Sequence, residues 1–296
     1  MAAGRITKDR IARICMVLTT AAVNIVLLLV LLGLFAKSGP VLKQNNLLQL
    51  IFSSEWSPLK GQFGLFNFIF GTFTVTFLAI IISAPLCLLT AVYLSEYSSR
   101  RLLYWAKLFI DMLAGIPAVV YGVWGVLVII PLIRDYFAPL FGKAVTGYSL
   151  LAGGIVLSIM VSPIIISVLL EIFSSIENEL KESSLSLGAT KWQTVKHVIL
   201  KKSLSGIISA VILGTSRALG GTMAVLMVTG NVAVIPDSIF DPIYTIPSLI
   251  ANNYGEMLSI PLYDSALMFA GLVLLLIILA FNIASRLMLL KYRREV

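Results

Sequence analysis

Six long apolar stretches, separated by more polar connections, constrain this chain more than any other feature of its sequence. A helix of roughly 20 apolar residues crosses the hydrocarbon core of a bilayer, where every backbone N–H and C=O must be bonded within the chain. Charged residues make up 12% of the chain and hydrophobic residues 59%, whereas a soluble domain carries about 25% charged residues. The sequence therefore predicts an all-α polytopic membrane protein.

The chain divides into a short tail and one membrane domain. Residues 1–14 are predicted to form an N-terminal tail, and 15–296 the transmembrane domain, with a polar connection at 174–205. The first apolar stretch is too long for a signal peptide, so we expect it to remain as a span. The six spans are predicted at about 15–36, 67–94, 108–133, 150–173, 206–228 and 266–290.

The distribution of Lys and Arg predicts the orientation of these spans. Sixteen of the 22 basic residues lie in the two tails, the second-to-third connection and the fourth-to-fifth connection, and five lie on the opposite side. Basic residues accumulate on the cytoplasmic side of membrane proteins. Both termini are therefore predicted to be cytoplasmic, and the net charge of +8 needs no nucleic-acid partner to explain it.

The one remaining basic residue, Arg217, lies in the middle of the predicted fifth span. It is roughly 18 Å from the cytoplasmic start of that helix, where a charge is costly unless it faces a cavity, a partner or a substrate. No carboxylate is predicted at that depth, since Asp111 and Glu171 lie near cytoplasmic helix ends and Glu256 lies at the outer rim. The partner of Arg217 is therefore a backbone carbonyl, a second subunit or an anion in transit. A guanidinium offers several donors in a fixed fork, which fits a tetrahedral oxyanion.

Glycine and proline carry further signals within the spans. Gly115 and Pro117 interrupt the predicted third span, either as a packing kink or as a broken helix that lines a pathway. Small residues recur at helical spacing along the fifth span and predict close helix packing in lipid. These residues are Gly206, Ala210, Gly214, Ala218 and Gly221.

The connection at 174–205 is predicted to form two short amphipathic helices. The first runs from Glu177 to Leu187, Gly188 breaks it, and Thr190 is placed to cap the second. Such a pair between two spans favours either docking to a cytoplasmic partner or a hairpin lying on lipid. Cys15 and Cys87 lack metal-ligand spacing, so no metal site and no catalytic residue are predicted.

The connection also carries a family resemblance. Glu182-Ser-Ser, three further residues and Gly188 resemble the "EAA" loop of ATP-binding-cassette importer permeases. Other strings resemble the C-type permeases of phosphate-uptake systems. These strings are Trp56-Ser-Pro, Phe63-Gly64, Gly71-Thr72, 91–97, 113–122, 216–225 and 227–231.

The resemblance implies a type I importer permease in the bacterial inner membrane. The expected partners are membrane lipid, a homologous second permease, two copies of an ATPase and an extracytoplasmic phosphate-binding protein. This chain has no Walker motif, so it is expected to be no enzyme and to hold no cofactor, with ATP and Mg on the ATPase. The resemblance assigns Arg217, Gly221 and Thr222 to the substrate pathway. It assigns Glu182, Ser183, Ser184, Gly188, Ala189 and Thr190 to the ATPase-coupling loop.

Three positions depart from the family pattern. Gly221 stands where the family usually has a glutamate, and Lys201 and Glu177 stand where it usually has prolines. A carboxylate close to Arg217 is therefore absent. Two alternatives to a phosphate permease stay open, namely a permease for another oxyanion, such as molybdate or a phosphonate, and a transport-incompetent paralogue that acts as a scaffold or sensor partner.

Overall fold

The computed structural model describes the backbone of residues 2–255, 260 and 262–295, and the side chains of residues 10, 12–255, 260 and 262–290. The predicted all-α class is confirmed, because the only sheet in this part of the chain is one two-stranded hairpin, β1 (Trp56–Ser57) and β2 (Gln62–Phe63). The helices are α1 (Ala2–Gln44), α2 (Leu47–Phe52), α3 (Phe66–Tyr97), α4 (Arg100–Ala114), α5 (Ala118–Leu140), α6 (Leu150–Ser174), α7 (Asn178–Ser186), α8 (Lys191–Lys202), α9 (Leu204–Leu219), α10 (Met223–Val228), α11 (Ile246–Asn253) and α12 (Tyr263–Glu295).

Five of the described helices are long and apolar enough to cross a bilayer, namely α1, α3, α5, α6 and α12. A sixth candidate is the pair α8 and α9, which meet at a bend of 69°. The first helix is longer than the predicted span, because it continues through the predicted tail and beyond to Gln44. At about 1.5 Å per residue, a helix of this length extends past both faces of a bilayer.

The third membrane helix begins ten residues later than predicted, at Ala118 instead of residue 108. Residues 108–114 belong to the amphipathic helix α4, in which Ile110 is the one buried residue. Helix α4 ends at Ala114 because Pro117 has no N–H to donate to the preceding turn. Helix α5 then runs to Leu140 and contains two π-helical turns.

Small residues bring the central helices into close contact, as predicted for a bundle in lipid. Helix α6 packs along α3, and a Cβ placed on Gly154 would lie 2.6 Å from Leu78 Cδ2. Helix α9 packs on α6 in the same manner, since a Cβ on Gly214 would lie 2.5 Å from Ile165 Cγ1. The small-residue face of the fifth span is therefore a packing face.

The outer connections form a second apolar core around Trp56. Its ring packs edge-on against Phe63, Phe68 and Tyr263. Asn67, in the first turn of α3, donates from Nδ2 to the carbonyls of Ser54 at 2.9 Å and Ala233 at 2.8 Å. These contacts fix the outer segments to the start of α3. Glu256 lies outside the described residues.

Candidate functional site

The predicted fifth span is two helices, and Arg217 lies in the last turn of the first. Helix α9 ends at Leu219 and α10 begins at Met223. Two successive glycines, Gly220 and Gly221, weaken the helix at this point. The Thr222 hydroxyl donates to the Gly220 carbonyl at 3.1 Å, which satisfies one backbone group that the break leaves free.

Arg217 has no carboxylate partner among the residues that the structure describes. Its side chain is exposed, and its positive charge interacts electrostatically with the hydroxyl of Tyr121 on α5. The neighbouring Ser216 donates to Asn282 Oδ1 of α12 at 2.9 Å. The guanidinium thus lies at a helix break, and its N–H donors have no hydrogen-bond partner among the described residues.

Tyr121 connects this region to the predicted break in the third span. Its hydroxyl donates to the Leu113 carbonyl at 2.8 Å. In an unbroken helix that carbonyl would accept from residue 117, which is proline. Gly115 and Pro117 lie in the gap between α4 and α5, so the interruption separates the amphipathic helix from the membrane helix.

The approach of α5 to α10 brings Tyr121 toward Arg217. A Cβ on Gly122 would lie 2.7 Å from Met227 Sδ and 3.2 Å from Ala224 Cα. Only glycine permits this separation. Helix α5 therefore meets α10 near the start of both helices, beside the break between α9 and α10, where backbone groups freed from a helix can face a solute.

Gly221 faces apolar side chains of α6. A Cβ there would lie 2.8 Å from Leu157 Cδ1 and 3.2 Å from Met160 Cε. Gly221 also lines a cavity of about 10 Å³ together with Thr72 and Thr76 of α3, which is room for one water molecule at most. Gly221 therefore acts as a packing residue in this structure, and a larger side chain requires Leu157 to move.

The predicted coupling loop consists of two helices around a glycine, and the second helix is capped by a side chain. Gly188 adopts a φ of +85°, which L-residues rarely occupy. Thr190 caps α8 as predicted, since its hydroxyl accepts from Gln193 N at 3.3 Å and Gln193 Oε1 accepts from Thr190 N at 2.8 Å. Ser184 and Thr194 are joined at 3.0 Å between their hydroxyl oxygens, which holds α7 against α8.

The outward surface of this loop is apolar at its tip. Leu187 is 90% exposed and Leu185 is 47% exposed. Glu182, Ser183, Gly188 and Thr190 are also exposed, whereas Ser184 and Ala189 are half-buried. An exposed apolar tip of this kind is typical of a surface that docks a partner.

Two charged contacts, which the sequence did not reveal, attach the coupling loop to the end of α3. Lys181 Nζ lies 2.6 Å from Glu96 Oε1, with the two side chains 18% and 10% exposed. Lys191 Nζ lies 4.9 Å from the ring centre of Tyr97, a cation–π contact. Contacts between residues so far apart in the chain leave no local pattern in the sequence.

The described residues contain no cluster of three or more side chains that could hold a metal ion. The lone histidine, His197, lies with Leu180 and Lys201 along a shallow surface cavity beside α8. Among the described residues, the structure brings predicted site residues together in two places, namely around Arg217 and in the predicted coupling loop.

Comparisons with known proteins also indicate a membrane transport protein. Residues 83–294 match the model of a family described as the inner membrane component of binding-protein-dependent transport systems. The phosphate transport system permease protein PstC of Xylella fastidiosa is 36% identical over 294 residues, which are 94% of this chain and 90% of the relative. The protein of the same name from Haemophilus influenzae is 35% identical over 82% of this chain and 81% of the relative.

Solved structures of transporters share the fold. An inward-facing structure of the MetNI methionine ABC transporter has a TM-score of 0.55 at 19% identity, covering 82% of this chain and 95% of that chain. A bacterial ABC transporter involved in the import of the polysaccharide alginate has a TM-score of 0.55 at 20% identity, covering 81% of this chain and 87% of that chain. At these identities the similarity describes the helix arrangement alone.

Proposed function

Because this chain belongs to the family of inner membrane components of binding-protein-dependent transport systems, we propose that it is a permease subunit of an ATP-driven importer of inorganic phosphate. Relatives that are named phosphate transport system permeases align with most of its length. The chain provides half of a translocation pathway, and the second half comes from a homologous permease.

The observation that carries the proposal is the unpaired charge of Arg217. Its exposed guanidinium lies at the break between α9 and α10, with Tyr121 and Ser216 nearby and no carboxylate partner in the described residues. A guanidinium offers several N–H donors in a fixed plane, which suits the oxygens of a phosphate ion. Phosphate in transit would therefore contact Arg217, with Thr222 and the Gly220–Gly221 backbone beside it.

The coupling loop supports an ATP-driven mechanism. Its exposed tip at Leu187 suits a groove of a cytoplasmic ATPase, and the contacts at Lys181 and Lys191 carry motion to α3. In this proposal the loop and both termini lie in the cytoplasm, and the distribution of Lys and Arg supports that orientation. Two ATPase subunits hold ATP and Mg, and an extracytoplasmic phosphate-binding protein delivers the anion.

A second candidate, a permease for another oxyanion, is favoured by one feature. The family resemblance implies a glutamate at position 221, where this chain has a glycine packed against Leu157. The charge around Arg217 therefore differs from that of the resembled permeases. A change in charge at an anion site alters which anions are bound.

Uptake by the reconstituted complex tests both candidates. The chain, its partner permease, the ATPase and the binding protein are assembled in proteoliposomes, and uptake of radiolabelled phosphate is measured with and without ATP. We expect ATP-dependent uptake that unlabelled phosphate suppresses and molybdate or methylphosphonate does not. Suppression by molybdate would favour the second candidate. ATPase activity that the loaded binding protein fails to stimulate would identify a scaffold or sensor instead.

A further inference from the structure

We infer a second oxyanion site in this chain, at the cytoplasmic end of the seam between α9 and α12. It consists of Arg286, Ser205 and Ser209 around a cavity of about 350 Å³. The inference rests on the proposed function for its orientation and deepens it, because it adds an exit site to the pathway that begins at Arg217.

The cavity has the chemistry of a phosphate site. Its remaining lining residues are Gly206, Leu289 and Leu290, so no acidic side chain lines it among those that the structure describes. The Arg286 guanidinium and the Ser205 hydroxyl have no hydrogen-bond or ion-pair partner among the described residues. A guanidinium and a hydroxyl that both lack partners offer several donors to one anion.

The neighbouring cavity at the start of α9 differs in charge. It has a volume of about 300 Å³ and contains Glu177 as well as Lys202. A carboxylate there repels an anion, and the lysine is balanced by it. This contrast assigns the anion to the Arg286 side of Ser205.

A line of polar side chains joins this cavity to Arg217. Ser205, Ser209 and Ser216 are spaced by four and seven residues and lie on one face of α9. Asn282 and Arg286 are spaced by four residues on α12. The Ser216 hydroxyl donates to Asn282 Oδ1 at 2.9 Å, so the two polar faces meet along the seam.

This polar face points away from the core of the chain. The packing face of α9, which contains Ala210, Gly214 and Ala218, lies on the opposite side of the helix and is buried. Polar residues on the outer face of a membrane helix are costly against lipid and are kept where they line water or a solute pathway. Residues 205 and 217 are separated by about 18 Å along the helix axis, so an anion released at Arg217 reaches Arg286 near the membrane surface.

An occupied exit site opposes further release from Arg217 by charge repulsion. Internal phosphate that fills the site therefore slows transport. The same chemistry could be satisfied by the phosphate of an anionic lipid headgroup, with the acyl chain along Leu289 and Leu290. The two sources share one requirement, which is the guanidinium of Arg286.

Protection of a cysteine in the cavity from a thiol reagent tests the site. Leu289→Cys reports on the cavity without removing a donor, in a chain whose exposed Cys15 is replaced by serine and whose buried Cys87 is retained. The assembled complex is placed in nanodiscs of zwitterionic lipid, and its rate of modification by a charged thiol reagent is measured with phosphate or with chloride of equal ionic strength. At ten times its dissociation constant, phosphate should slow modification about tenfold. Arg286→Gln should remove the effect, and Arg134→Gln, at the other end of the bundle, should leave it intact.

Nanodiscs with anionic lipid distinguish the two sources. Slow modification without phosphate, seen only in anionic discs and lost in Arg286→Gln, identifies a lipid headgroup. The site is overturned if the modification rate responds to neither phosphate nor anionic lipid, or if protection persists in Arg286→Gln. Because the assay requires no turnover, protection by phosphate in a complex that fails to import phosphate would reject the proposed substrate pathway and leave the site standing.

Discussion

Lys181 and Glu96 form an ion pair at 2.6 Å between residues that are 85 positions apart in the chain. Glu96 lies in the π-helical turn that ends α3, and Lys181 lies in α7, the first helix of the coupling loop. Glu96 Oε1 also accepts from the Ser95 hydroxyl at 3.0 Å, which helps to fix its position. A largely buried contact therefore joins α7 to a membrane helix.

Reversal of one charge in this pair should uncouple transport from ATP hydrolysis. In Glu96→Lys two ammonium groups face each other, so α7 separates from α3 and phosphate uptake falls while ATPase activity persists. The exchanged pair, Glu96→Lys with Lys181→Glu, should restore uptake, with a coupling energy on the order of 1 kcal/mol. Uptake and ATP hydrolysis are measured in the same proteoliposomes.

The Arg134–Asp135 pair offers a matched control. It is also a pair of a basic side chain and a carboxylate, with a similar separation of 2.7 Å, but its side chains are 53% and 46% exposed and its residues are adjacent in the chain. The corresponding exchange there should leave the ratio of phosphate transported to ATP hydrolysed unchanged. If the exchanged Lys181–Glu96 pair restores no more phosphate uptake than the single variant shows, this contact has no role in coupling.

Arg217→Gln should strongly reduce phosphate uptake while the complex still assembles. The side chain is exposed and unpaired in the described residues, so its removal costs little packing. Loss of a charged donor to the anion is worth about 1.5–3 kcal/mol, or roughly tenfold to a hundredfold in transport. Arg217→Lys keeps the charge without the planar fork and should retain part of the activity. Assembly is checked by size-exclusion chromatography. Normal uptake by Arg217→Gln would show that Arg217 has no role in the substrate pathway.

Gly188→Val should uncouple the ATPase through backbone strain alone. No atom lies within 4 Å of a Cβ placed there, so the cost comes from the φ of +85°, which a β-branched residue tolerates poorly. Gly188→Asn tolerates this conformation and should keep most of the coupling. Gly61→Val is the control, because Gly61 has a φ of +73° and equally open space but lies in the outer hairpin. Equal coupling in the Val and Asn variants at position 188 would contradict the conformational role.

Local features of this fold could be predicted from the sequence, because each depends on neighbouring residues. The capping of α8 by Thr190 follows from the residue type and its spacing from Gln193. The break at Gly188 and the interruption at Gly115–Pro117 follow from backbone chemistry. Hydropathy placed most of the spans, although it extended the third too far, because the apolar side chains of α4 continue up to Pro117.

Features that depend on tertiary contacts could not be predicted. The break between α9 and α10 occurs at Gly220 and Gly221. The sequence fits Gly221 equally well to helix packing, and only the closeness of Leu157 and Met160 to this glycine separates the two roles. The bend of 69° between α8 and α9 occurs inside a continuous helical pattern. The seam that joins Ser216 to Asn282 connects residues 66 positions apart, and no periodicity within one helix reveals it.

Gly221→Glu tests whether the missing carboxylate can be restored. The Cβ would lie 2.8 Å from Leu157 Cδ1, so the glutamate must displace a side chain of α6 that is 1% exposed. We expect a lower melting temperature of the assembled complex and reduced uptake, with a smaller effect for Gly221→Ala, since only the tip of Leu157 must move.

Leu157→Ala alone should destabilise the complex by about 2–5 kcal/mol, because it creates a cavity in the core. The space it leaves lies where the glutamate enters, so the double variant Leu157→Ala with Gly221→Glu should be more stable than the sum of the single effects, by about 0.5–3 kcal/mol. If the stability change of the double variant equals the sum of the two single changes, the glutamate side chain does not enter the space left by Leu157. A gain in phosphate uptake by Gly221→Glu alone would mean that the carboxylate turns from α6 toward Arg217, because only an acid beside the pathway arginine can alter the charge that a passing anion meets.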